Sequence, residues 1–156
     1  MSELATAPLE AVSDPELPFG VTPNEAAVLI TISEGHTGVQ VARQLEIEKG
    51  EADILRFDAM EKLGTRSIAQ ATHRAIQARI IPIETVPNSE IIAGLHQADT
   101  WILRLYARGI SNHRIAAAQK QPVRALEVYH DRLLGRLGAW SRPHAVRRGH
   151  ELGLLS

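Results

Sequence analysis

The 156-residue chain contains no cysteine, which excludes disulfides and thiolate metal ligands and suits a reducing compartment. No apolar run approaches the roughly 18 residues that a membrane-spanning helix needs. The first residues also lack the basic start and apolar stretch of a secretory signal. A cytoplasmic protein with no membrane partner is therefore expected. No stretch alternates apolar and polar residues over a useful length, so no sheet is expected. A phosphate-cradling Gly-rich loop and a nucleophile elbow are missing as well. His144 and His150 stand six apart, a poor ligand spacing on a helix, and the neighbours His130 and Asp131 point to different faces. These absences argue against an enzyme and imply no cofactor.

What is present is a repeat. Shifted by 74 residues, the chain aligns with itself without a gap: Leu29 meets Leu103, Gly35 meets Gly109, Ala42 meets Ala116, Leu63-Gly64 meets Leu137-Gly138, Ser67 meets Ser141 and Ala71 meets Ala145. Shared spacing of apolar and glycine positions implies shared helix lengths and turns. The spacing predicts a first helix from Pro23 toward Gly35, with Thr22 as cap, and a second from Thr37 to Leu45. A third runs from Lys49 to Leu63, and a fourth from Ser67 as far as Pro82. In the second copy the helices fall near Gln97–Arg108, Ser111–Gln119, Pro122–Leu137 and Ser141–Leu152. Residues 1–20 read as a flexible acidic arm, 21–82 as the first copy, 83–94 as a linker and 95–156 as the second copy. The expected fold is all-α, with two tandem four-helix helix-turn-helix domains.

Charge separates the copies. Residues 1–20 hold four acids and no base, and residues 21–82 hold eight acids and seven bases. Residues 95–156 hold ten bases against four acids, a net of +6, together with five of the seven histidines. A basic half is what a nucleic-acid partner selects, because each phosphate contact adds affinity through counterion release. Ordinary scatter of surface charge is the other explanation. Dispersed histidines in such a half are expected at the surface, adding positive charge below about pH 6.5.

In each copy a capped short helix, a tight turn and a longer helix form a helix-turn-helix, Thr37–Leu63 and Ser111–Leu137. With Val21-Thr22-Pro23-Asn24-Glu25, Glu34-Gly35, Val41-Ala42-Arg43-Gln44-Leu45, Ile47, Lys62-Leu63-Gly64 and Arg66-Ser67, the first copy resembles the LuxR or GerE type of DNA-binding domain. The second copy carries the resemblance in Ile102-Leu103-Arg104-Leu105, Arg108-Gly109, Ser111-Asn112, Ile115-Ala116, Arg136-Leu137-Gly138 and Ser141-Arg142. The resemblance implies a bacterial transcription regulator that binds double-stranded DNA through its third helix, meets phosphates at the start of its second, and pairs through its fourth. Both copies depart from the family pattern. The outer face of the third helix carries Asp53, Ile54 and Phe57 in one copy and Glu127, Val128 and Asp131 in the other. The usually apolar turn positions of the second copy are Gln119 and Gln121.

DNA contact is accordingly expected mainly from the second copy, through Ser111, Asn112, Arg114, Arg124, Glu127, Val128 and Arg142, with Arg147 and Arg148 as further bases. Leu126, Tyr129, Leu133, Leu134 and Leu137 recur at helical spacing and are expected in the core. In the first copy Asp53, Ile54 and Phe57 are read as a protein interface, although a small shift of helix phase would bury the apolar pair. A protein partner, or a homodimer through the first copy or the fourth helices, is the associated expectation. The alternative function is an adaptor that binds protein through both copies and no DNA.

Overall fold

Hydroxyl side chains set the helix starts. Thr22, Thr37, Ser67, Ser111 and Ser141 each accept a hydrogen bond from the backbone N–H three residues on, which satisfies one of the donors that a helix start leaves unpaired. The computed structural model describes residues 16–156, and among these it forms nine α-helices and no strand. They are α1 (Pro23–Ser33), α2 (Gly38–Leu45), α3 (Lys49–Lys62), α4 (Ile68–Gln77), α5 (Ser89–Ala93), α6 (Gln97–Ala107), α7 (Asn112–Gln119), α8 (Val123–Leu137) and α9 (Arg142–Glu151). The bounds of α6, α7 and α9 lie 74 residues beyond those of α1, α2 and α4, and α8 starts 74 beyond α3 and ends one residue later.

The turns repeat as well. Glu46 and Lys120 both take a left-handed conformation after α2 and α7. The next residue then closes the helix: Ile47 N–H donates to the Ala42 carbonyl and Gln121 N–H to the Ala116 carbonyl, each at 3.0 Å. Long-range polar contacts follow the same repeat. Lys62 at the end of α3 reaches the buried Glu25 of α1 at 2.7 Å, and Arg136 of α8 reaches the buried Asp99 of α6 at 2.6 Å. Arg74 donates to the carbonyl of Leu63 at 2.6 Å, and Arg148 to that of Leu137 at 3.1 Å. Each fourth helix thus caps the third helix of its own copy.

The most extensive helix contact joins α4 to α9, and α1 against α9 and α6 against α4 complete it reciprocally. Ala69 of α4 belongs to the apolar cluster built from α6 to α9. Close approach is permitted by two glycines at matching positions, both with positive φ. A Cβ on Gly35 would lie 2.6 Å from His144 Nδ1, and one on Gly109 would lie 2.7 Å from Gln70 Oε1. His73 Nδ1 and His150 Nε2 meet at 2.8 Å between α4 and α9, and Arg147 donates to Ser33 Oγ at 2.9 Å. The fourth helices of the two copies thus pack against each other within one chain.

Three boundaries differ from expectation. α4 stops at Gln77, short of Pro82, because Arg79 turns left-handed and lets Ile80 and Ile81 drop into the first copy's core. The linker contains α5, capped by Asn88, with Ile91 packed on the second copy's core, and Val86 N–H donates to the Glu151 carbonyl at 2.7 Å. Most of the acidic arm, residues 1–15, lies outside the described residues. At its far end Leu17 packs on the first copy's core and Pro18–Gly20 form a 3-10 turn.

Candidate nucleic-acid interface

The start of α7 is organised from inside. Ser111 accepts from Arg114 N–H at 3.2 Å. Asn112 is 6% exposed, and its side-chain oxygen accepts from the Tyr106 hydroxyl at 3.1 Å. That hydroxyl also lies 2.9 Å from His130 Nδ1 on α8. Since its one proton goes to Asn112, the imidazole is the donor there. Arg142 stacks over the Tyr106 ring, 5.0 Å from its centroid. Asn112 and Arg142 therefore fasten α6, α7, α8 and α9 together. Their side chains face the protein, and the polar surface at the head of α7 is left to backbone donors and the exposed His113 and Arg114.

Arg124, Glu127 and Val128 are exposed along α8. Lys120, in the α7–α8 turn, is exposed between Arg114 and Arg124. Sequence reasoning passed it over, yet the 74-residue shift carries the signal: the counterparts of Arg114, Lys120 and Arg124 in the first copy are Gln40, Glu46 and Gly50. The ten bases of the second copy divide sharply. Arg136, Arg142, Arg147 and Arg148 are held by Asp99, Tyr106, Ser33 with Glu151, and Leu137 with Glu151. Arg104, Arg108, Arg114, Lys120, Arg124 and Arg132 are exposed, against the exposed acids Glu127 and Asp131. The +6 of the second copy is thus partly structural charge.

Two expectations about the second copy are corrected. Tyr129 is 44% exposed rather than core, because α8 turns Leu126, Leu133 and Leu137 inward and leaves Tyr129 beside the α7–α8 turn. The histidines are not uniformly at the surface. Burial pushes the pKa of His130 and of His144 down, with nearby arginines acting in the same direction. Burial and then the charge of His73 lower that of His150 to about 4. Acid therefore adds less positive charge to this copy than its histidine count suggests.

In the first copy Ala52, Ala59 and Leu63 face inward, which leaves Ile54 63% and Phe57 66% exposed on α3. Asp53 pairs with Lys49 one turn earlier at 2.9 Å, and that hydrogen bond holds its carboxyl below the usual range. Trp140, 81% exposed in the turn before α9, is a further large apolar surface residue that periodicity did not single out. His73 and His150 are the closest approach of two imidazoles, but among the described residues no third ligand joins them or forms another group able to hold a metal ion. In comparisons with known proteins, no family model, curated protein or solved structure matches the chain.

Proposed function

We propose that the protein is a DNA-binding transcriptional regulator of bacterial type, built from two tandem helix-turn-helix domains, with the second meeting duplex DNA. The observation that carries this reading is the exposed series Arg114, Lys120 and Arg124, which follows the start of α7, the turn and the start of α8; the exact counterparts in the first copy are Gln40, Glu46 and Gly50, and the base beside them, Lys49, is paired with Asp53. A helix start with free N–H groups beside such bases is suited to phosphate, and α8 is then the element for a major groove. Val128 offers an apolar contact to a thymine methyl, and Glu127 an acceptor for a cytosine amino group.

Fluorescence anisotropy of the full chain on a mixed-sequence duplex tests the proposal. Binding at low salt is expected to weaken about tenfold in Arg124→Glu and to change little in Arg56→Glu, with a log–log salt slope near about −3 if three phosphates are neutralised. Absence of any binding by the wild type at low salt discards it. The adaptor reading has its own support, the exposed Ile54 and Phe57, and gains if duplex binding is absent.

A further inference from the structure

At one place the two copies are built alike in backbone and oppositely in side chains. In the first copy Leu45 and Ile47, on either side of the left-handed Glu46, pack with Leu55 of α3 against the core formed by Val28, Val41 and Ala52. At the matching positions the second copy has Gln119, Gln121 and Tyr129, all exposed, and Trp101 stands where the first copy has Ala27. The plug of apolar turn residues is gone, and the space it would fill is a cleft of about 230 Å³. Ile102 and Leu126 lie at its base, Trp101 and Tyr129 contribute aromatic rings, and Gln119 and Gln121 supply carboxamides. Among the described residues its lining holds no acid, base or histidine.

We propose that this cleft binds one neutral, planar heteroaromatic ring of nucleobase size. Aromatic side chains recognise the face of such a ring by stacking, and carboxamides, each with two donors and an acceptor, recognise its hydrogen-bonding edge. The volume lies below the roughly 300–1,000 Å³ of drug-sized pockets, so it suits a single ring system and leaves an attached sugar or phosphate outside. The uncharged lining disfavours an ionised ligand, whose desolvation it would not offset. The ring has two sources, a free nucleoside or an unstacked base in a nucleic-acid strand. Neither requires the duplex binding proposed above, so this proposal stands or falls independently.

Trp101 provides the readout. In the full chain carrying Trp140→Phe it is the one remaining tryptophan of two. Adenosine, cytidine and a short single-stranded oligodeoxynucleotide are titrated against its emission. A saturable change is expected, lost at least tenfold in affinity in Gln119→Leu/Gln121→Ile, which restores the first copy's residues and refills the cleft, and likewise in Tyr129→Leu. Oligonucleotide binding at least tenfold tighter than nucleoside identifies a strand as the source, whereas equal affinity identifies the free nucleoside. Saturation-transfer NMR between adenosine and the unmodified protein gives a second readout that needs no substitution. No saturable signal by either method up to about 10 mM, corresponding to a negligible affinity, overturns the proposal, and so does undiminished binding to the refilled variant.

Discussion

At the scale of the residue, His150 has the largest consequence for behaviour in solution. It is buried against His73 between α4 and α9, and its pKa falls to about 4 from the ordinary value near 6.5. The unfolded chain binds this proton at higher pH than the folded one, so stability is full above about pH 6.5 and declines as pH falls toward about 4. The total from this group is about 3 kcal/mol at 1.36 kcal/mol per pKa unit. The lowered values of His73, His130 and His144 act in the same sense. Urea unfolding at pH 7 and pH 5 is expected to show a loss of about 2 kcal/mol from His150 alone, and His150→Gln should flatten that part of the slope. An equal slope in the variant would place the acid sensitivity elsewhere. Glu25 shows the opposite balance: burial raises its carboxyl, but the Lys62 ammonium and the Thr22 backbone N–H outweigh burial and hold it below the usual range.

At the scale of the element, glycines distinguish contact from propensity. Gly35→Ala adds a Cβ against His144 at a left-handed position (φ +96°), and a cost of about 1–3 kcal/mol is expected from strain and the displaced neighbour. Gly50→Ala, within α3 and facing open space, is expected to stabilise by about 0.5–1 kcal/mol. Thermal unfolding of the two variants should move in opposite directions. The helix ends were legible in the sequence because their causes are local: a hydroxyl cap, a proline in the first turn, a glycine after the last. The left-handed Arg79 that ends α4 early, and the Asn88 cap that makes a helix of the linker, carry weaker local signals. Tyr129 was misplaced for a related reason. Helical spacing names the apolar stripe, but where its edge falls depends on what α6 and the α7–α8 turn place beside it.

At the scale of the whole molecule, the candidate site was less legible than the helices. Arg142 and Asn112 have side chains suited to phosphate, and only the fold brings Tyr106 between them and turns both inward. Arg147 is directed by Ser33, 114 residues away in the chain. Ile54 and Phe57 need no distant partner to stand outward, and serine at both positions is expected to leave helical content and duplex binding nearly unchanged. If a partner covers them, the double substitution weakens its capture by up to about 3–5 kcal/mol before association costs. A large drop in melting temperature would instead assign the pair a structural role.

The packing of α4 on α9 has a further consequence, in mass action. Two halves that met as separate chains would part on dilution, and their melting temperature would fall with concentration. Here the connection through α5 keeps each half at a fixed effective concentration near the other, so their association is first order. Unfolding followed at nanomolar and at micromolar protein should superimpose. Because each half meets its own partner on the same chain, each is free to diverge in sequence without having to remain complementary to an identical copy of itself.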